Sequence, residues 1–285
     1  MSTTSPRDSA SRSLYDPAIA LQFFQSAGKP QSIAKGKKIF AEREKGLPFL
    51  LMPNKMYLLL EGEVSVVANS KPIATVRRGE IFGEMAAINQ APRSAAAVAK
   101  TPCRVIALDD RQFQTALVRK PEFALMLMSL MISRLRETLG RLSAVDALSA
   151  DAAGWSQAAA LDKELIAELD QLLGPAARFR YPAERVIMRE GHFGVVLFVV
   201  LEGQVAIRVG NAVVEKVGPG GIFGEMALVD RAPRLATAVA EDDCTLLAVS
   251  RQMFLYLVKK SPRFAISLLR AVSERARLTA ARGNA

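Results

Sequence analysis

Apolar positions fall into two textures along this chain. One is short and alternating or nearly continuous, bounded by Gly, Asn and Ser. It predicts strands at Met56–Leu60, Val64–Val67 and Ile73–Val76, with turns at Glu61-Gly62 and Asn69-Ser70. The same texture returns at Val205–Val209 and Val213–Val217 around Gly210-Asn211, a pair suited to a hairpin. Ile207, Arg208 and Val209 alternate as a wall with one wet face requires. The other texture places apolar residues three and four apart. Asp16-Pro17 supplies an N-cap and a first-turn proline, Gly28 a stop, and Ile19, Leu21 and Phe24 are expected to face inward. A counterpart from about Ser156 to Leu173 carries Leu161, Leu165, Leu169 and Leu172 and stops at Gly174-Pro175. Helices are also predicted after Pro121 and Pro262. In the first of these, Met128, Ile132, Leu135, Leu139 and Leu142 step by four and three, a heptad seam. Such a seam serves packing on the chain's own core or a homodimer equally well.

Set side by side, the two halves are copies. Gly79-Glu80-Ile81-Phe82-Gly83-Glu84-Met85-Ala86 leads to Ala91-Pro92-Arg93, and Gly220-Gly221-Ile222-Phe223-Gly224-Glu225-Met226-Ala227 leads to Ala232-Pro233-Arg234. The displacement is 141 residues for both parts (223 − 82, 234 − 93). Leu60-Glu61-Gly62, Cys103 and Phe113 find Leu201-Glu202-Gly203, Cys244 and Phe254 at the same displacement. A two-copy repeat of this length reads as tandem domains, since solenoids use shorter units and more of them. The expected layout is a disordered tail 1–15, a first domain 16–145, a linker 146–160 and a second domain 161–285. The first copy carries about six extra residues around Glu42–Asn54, because Ile39 to Gly62 spans 23 residues where Val186 to Gly203 spans 17.

The repeated motif has a chemistry of its own. Gly83 lets the backbone turn tightly and approach a ligand. If Glu84 opens a short helix, its free N–H groups favour an anion. Arg93, nine residues beyond Glu84, offers a planar, permanently charged fork suited to a phosphate. A carboxylate beside that anion makes sense when the ligand also brings hydroxyl donors, since an ionised carboxylate only accepts. For a single copy, an internal Glu84–Arg93 ion pair is the rival reading. Two copies with unchanged spacing, amid loops that otherwise differ (Asn89-Gln90 against Asp230-Arg231), favour the ligand site.

Phe-Gly-Glu-Met-Ala followed by Pro-Arg-x-Ala resembles the phosphate-binding cassette of cyclic-nucleotide-binding domains, the superfamily of catabolite activator protein and kinase regulatory subunits. The resemblance covers nearly all of both halves. It implies a mixed α+β fold of two tandem jelly-roll β-barrels, each with a preceding helix and C-terminal helices. It implies one cyclic AMP or cyclic GMP per domain, with Glu84 and Glu225 on the ribose 2′-hydroxyl and Arg93 and Arg234 on the cyclic phosphate. Around these, Phe82, Gly83, Met85, Ala86, Ser94 and Ala95, and Phe223, Gly224, Met226, Ala227, Leu235, Ala236 and Thr237, complete the two implied sites. The copies differ at the hinge position three residues after the cassette glutamate, Ala87 against Leu228, and in where a hydroxyl follows the arginine, Ser94 against Thr237. The second site is therefore expected to transmit better.

Composition narrows the class further. Half of the 285 residues are apolar, enough for two ordinary cores. Two cysteines in equivalent positions argue against a disulfide framework, and one histidine, His192, leaves no metal cluster. The opening residues lack an apolar signal segment and no apolar run approaches the ~18 residues of a membrane span, so a cytoplasmic protein is expected. No nucleophile–base pair, metal set or Walker-type loop marks an enzyme, and no cofactor is expected. The net charge is +10, and from Arg251 onward eight basic residues face one acid, Glu274. That segment is a solvated helix face or a surface for an acidic partner. The leading expectation is a non-catalytic cyclic-nucleotide receptor signalling to an unidentified effector protein. A catabolite-activator-type transcription factor is the alternative, set back by the roughly 30 residues left after the second barrel, too few for a helix-turn-helix; nucleic acid is thus not the expected partner. A regulatory-subunit-like protein is the third, though no Arg-Arg-x-Ser-like inhibitor segment or dimerisation helix pair precedes the first barrel.

Overall fold

A computed structural model of the chain describes residues 15–44, 54–143, 161–229 and 232–282, the side chains of 134–143, Ala227 and 276–282 excepted. Positions 1–14 of the expected tail, most of the insertion and the linker lie outside the described residues. Two compact units divide the chain: one joins Asp16–Ala124 with Leu255–Glu274, and the other is built on Leu125–Phe254 and takes in Arg275. Compact unit and sequence repeat are therefore divided differently, although both helices that follow the barrels begin where the prolines predict, α4 at Glu122–Ser143 and α7 at Pro262–Arg282.

In the first unit, α1 (Pro17–Gln25) opens on Asp16, whose carboxylate accepts from the amides of Ala18 (2.8 Å) and Ile19 (3.4 Å). The inward face is Ala20, Phe23 and Phe24, all fully buried. Phe23 stacks on Phe123 with ring centroids 3.6 Å apart, and Phe113 meets both edge-on. Ile19, expected to face inward, is 39% exposed, because two adjacent phenylalanines fix the helix's rotation. Strands β1 (Pro30–Ile33), β2 (Lys38–Phe40), β3 (Met56–Glu61), β4 (Val64–Ala68), β5 (Lys71–Val76), β6 (Ile81–Phe82), β7 (Ala96–Ala99) and β8 (Cys103–Leu108) follow, with the short helix α2 (Glu84–Asn89) between β6 and β7 and α3 (Asp110–Arg119) after β8. They form two four-stranded antiparallel sheets ordered β1-β8-β3-β6 and β2-β7-β4-β5. That order is the jelly roll. Its interior packs Phe40, Leu59, Val64, Phe82, Ala97 and Val105.

The second unit repeats the plan. Helix α5 (Lys163–Leu173) is capped by Asp162, which accepts from the Leu165 amide at 2.8 Å, and stops at Gly174 with φ 69°. Leu161, Leu165 and Leu169 are buried and Leu172 half-buried. After a 3-10 turn come β9 (Arg178–Tyr181), β10 (Val186–Met188), β11 (Val196–Glu202), β12 (Val205–Val209), β13 (Ala212–Val217), β14 (Ile222–Phe223), β15 (Thr237–Ala240) and β16 (Cys244–Ser250), with α6 (Arg251–Lys260) beyond. The sheets run β14-β11-β16-β9 and β10-β15-β12-β13, the same jelly roll strand for strand. In α4, Met128 and Ile132 of the heptad seam are buried, and Leu135, Leu139 and Leu142 lie beyond the described side chains. Cys103 and Cys244 are buried free thiols, each donating to a backbone carbonyl at 3.3 Å. No described helix is long and apolar enough to cross a membrane, and the described residues hold no metal-binding group of His, Cys, Asp and Glu.

Candidate ligand-binding sites

Each motif is a turn between two strands, and its glycine sets the geometry. Gly83 and Gly224 have φ 72° and 74°. A Cβ at Gly83 would meet Arg93 Nη1 at 2.9 Å, and one at Gly224 would meet Arg234 Nη1 at 2.8 Å. Both the left-handed backbone and the pressing guanidinium therefore require glycine. Beyond it, Glu84 begins α2 and Glu225 begins a 3-10 turn (Glu225–Leu228). Both glutamates are buried, at 5% and 3% exposure.

The arginines return to this turn in the same way. Arg93 donates from Nη1 to the Gly83 carbonyl and from Nη2 to the Lys55 carbonyl, both at 2.7 Å. Arg234 donates to the carbonyls of Gly224 (2.7 Å) and Val196 (2.8 Å), the equivalent atoms. Their backbones are pinned as well. The Arg93 amide donates to Glu44 O and its carbonyl accepts from Arg43, while the Arg234 amide donates to His192 O and its carbonyl accepts from Gly191. His192 thus acts through its backbone.

Neither arginine pairs with its cassette glutamate, so the rival ion-pair reading fails on geometry. Arg93 is 4% exposed, lies over the Phe40 ring at 4.1 Å, and its Nε has no hydrogen-bond partner among the described residues. Burial pushes its pKa below the ordinary guanidinium value, against the opposing pull of Tyr57, Glu44 and Glu84. Arg234 is lowered by burial too, with Glu225 opposing. A buried cation short of negative charge, with a carboxylate acceptor nearby, suits a ligand that brings an anion and a hydroxyl together.

A profile of the cyclic nucleotide-binding domain matches residues 31–120 and 178–261, more than half of the chain. The chain belongs to the cyclic nucleotide-binding domain family. It is 35% identical over 115 residues to the cyclic AMP receptor protein of Thermus thermophilus, covering 39% of this chain and 53% of that one. It is 29% identical over 184 residues to the cAMP-dependent protein kinase regulatory subunit of Schizosaccharomyces pombe, covering 64% and 39%. It is 24% identical over 237 residues to the cGMP-dependent protein kinase of Toxoplasma gondii, covering 83% and 20%. The chain spans about half or less of these relatives' length. Among solved structures, the catabolite activator protein of Thermus thermophilus matches with TM-score 0.36 and 32% identity over 41% of this chain and 56% of that one. The regulatory domain of Toxoplasma gondii PKA with cAMP matches with TM-score 0.31 and 20% identity over 93% and 91%. These TM-scores are low, and the jelly-roll assignment stands on the strand orders and the family match.

Within the family frame, the two cassettes differ around a shared centre. Phe82 and Phe223 are core residues, 4% and 2% exposed, stacked on Tyr57 and Phe198. Met85 and Met226 are half-buried, Ala86 and Ala95 buried, Ser94 exposed, and Leu235 and Ala236 half-buried. Ala227 lies outside the described side chains. Thr237 is drawn away into β15, where its hydroxyl accepts from the Glu190 amide at 3.1 Å. In the first copy Asn54 donates to Ala86 O (3.2 Å) and Ala91 O (3.0 Å), stapling the turn; at the repeat displacement the second copy has Val195, 75% exposed. A cavity of about 680 Å³ opens beside Arg234, with Met188, Phe193, Val196 and Phe198 among its walls.

The second site also holds residues that the motif did not announce. Arg275 reaches Glu225 and Glu215. Arg251 donates to Leu228 O at 2.7 Å. Arg275, with its side chain 15% exposed, is thus not part of a solvated face. Only Arg275's place in a basic run marked it in the sequence, and nothing there paired it with Glu225.

Proposed function

We propose that the protein is a non-catalytic receptor binding one cyclic mononucleotide, cyclic AMP or cyclic GMP, in each barrel. The carrying observation is the duplicated arginine: held by two backbone carbonyls, unpaired with its glutamate, and in Arg93 buried and left with an orphan Nε. Arg93 and Arg234 take the cyclic phosphate and Glu84 and Glu225 a ribose hydroxyl. Relatives named for cyclic AMP and for cGMP keep both nucleotides in the proposal. Occupancy shifts the balance between helix positions, with typical couplings of ~1–3 kcal/mol, and an effector protein responds. A homodimer along the distal seam, Leu135, Leu139 and Leu142, belongs to the same proposal.

Calorimetry of single-site variants tests it. A charge-assisted hydrogen bond is worth about 1.5–3 kcal/mol, so Arg93→Ala and Arg234→Ala should each weaken one site by about tenfold to a hundredfold or more. Unchanged isotherms in both variants would refute the assignment. For the dimer, Leu135→Asp with Leu139→Asp should give a monomer by sedimentation while the barrels stay folded. A wild type that sediments as a monomer at high concentration rules it out.

A further inference from the structure

The first cassette is held by a side chain from outside its motif. Asn54 donates through Nδ2 to Ala86 O at 3.2 Å and to Ala91 O at 3.0 Å. Both partners are carbonyls, so only the amide's NH2 side can face them. The two bonds bridge the segment that leaves α2 and turns back toward Arg93. Within it, Ala86 O also accepts from the Ala91 amide at 3.3 Å, and Gln90 is left-handed at φ 51°. A residue with a Cβ keeps that conformation only where its surroundings impose it. The next residue along the chain completes the arrangement, since Lys55 O accepts from Arg93 Nη2 at 2.7 Å. One dipeptide, Asn54-Lys55, therefore fixes both the backbone of the cassette and its guanidinium.

The second copy keeps only the backbone part. Val196 O accepts from Arg234 Nη2 as Lys55 O does from Arg93. At the repeat displacement from Asn54, however, stands Val195, which has no side-chain donor and is 75% exposed. The first cassette runs as an α-helix, Glu84–Asn89, and the second as a 3-10 turn, Glu225–Leu228. A helix of six residues has too few internal bonds to hold itself, and its last carbonyls lack helical partners. Asn54 supplies from outside what α2 lacks.

We propose that Asn54 is a positioning residue for the first site, its amide holding the cassette in the binding-competent form before the ligand arrives. This rests on the cyclic-nucleotide reading of the same site. A ligand that meets an ordered loop loses no affinity to ordering it. Where the competent form is only partly populated, the apparent Kd rises in proportion.

The test reads affinity and its cause together. In the full chain carrying Arg234→Ala, so that the first site reports, cyclic AMP is titrated by calorimetry, or cyclic GMP where the wild type prefers it. Asn54→Asp keeps the shape but turns the donor into an acceptor facing two carbonyls, and Kd should rise about fivefold or more. Hydrogen exchange on the same proteins gives the second readout. Without ligand, amides between Glu84 and Arg93 should exchange about tenfold faster in Asn54→Asp, while those of β3 and β8 keep their rates. At saturating nucleotide the cassette should regain its original protection. A residue that only props the barrel would speed exchange in strands and cassette together, which overturns the proposal. An unchanged Kd overturns it too, as does a free cassette that exchanges no faster. If Asn54→Asp fails to fold by circular dichroism, Asn54→Ala removes the donor without adding charge. Kd should then rise about threefold or more with the same confined exchange, and an unchanged value is equally fatal. Absence of binding by the unsubstituted protein would instead sink the receptor reading, whereas the ligand-free exchange rates judge Asn54 independently of it.

Discussion

Gly83 and Gly224 each meet two demands at once, a left-handed backbone and a guanidinium within 3 Å of where a side chain would begin. Alanine there should cost about 1–3 kcal/mol in strain and displace the arginine that the proposal places on the phosphate. Thermal unfolding should show a lowered midpoint, and the titration should lose one site for each variant. A Gly83→Ala protein with both sites intact would show that the arginine's position does not depend on the turn. Arg275→Ala is a heavier change, since it strands two carboxylates that are 9% and 4% exposed. Leaving a buried charge unpaired costs about 3–5 kcal/mol, and chemical denaturation should show a loss of that order. A loss under about 1 kcal/mol would mean that solvent reaches the cluster. Glycine, glutamate and arginine were legible in the sequence because a tight turn constrains residues close in the chain. Arg275 was not, because its partners lie 50 and 60 positions away and an isolated arginine reads as solvated.

Elements were legible where the pattern was local. Strand and helix positions followed from alternation, caps and prolines, and Asp16 and Gly174 act as the expected cap and stop, whereas α5 takes its cap from Asp162 and starts at Lys163, later than the expected Ser156. The rotation of α1 was not, because Phe23 and Phe24 take the inward face through Phe123, about a hundred residues on. Phe123→Ala should cost about 3–5 kcal/mol by chemical denaturation, and a loss under about 1 kcal/mol would mean the aromatic cluster does not hold α1. The hinge residues belong at this scale too. Leu228 is 1% exposed and its carbonyl holds Arg251 at the start of α6, whereas the equivalent of Arg251 in the first copy is Asp110. Ala87 against Leu228 is a difference of about three carbons, each buried methylene being worth ~0.8 kcal/mol. We therefore expect occupancy of the second site to slow amide exchange in α6, and occupancy of the first to leave α3 unchanged. Leu228→Ala should abolish the α6 response while binding persists. Equal protection of α3 and α6 would show that the hinge residue does not decide transmission.

Across the whole molecule, the repeat carried most of the information. One domain duplicated at a constant displacement predicts two copies of one fold, and the strand orders of the two barrels agree position for position. The sequence did not foretell the grouping of Leu255–Glu274 with Asp16–Ala124, because a helix's apolar stripe does not name the surface it covers. Nor did it separate the two sites beyond the hinge and the hydroxyls, since Ala74 and Glu215, on the strand before each motif, read there as ordinary strand positions. The claim that joins these observations is that both cassettes, similar at the arginine and different around it, bind the same kind of ligand. Calorimetric titration of the full chain with cyclic AMP and cyclic GMP tests it most directly. The account predicts two bound nucleotides per chain, with Arg93→Ala and Arg234→Ala each removing one. A stoichiometry of zero with both nucleotides would contradict it.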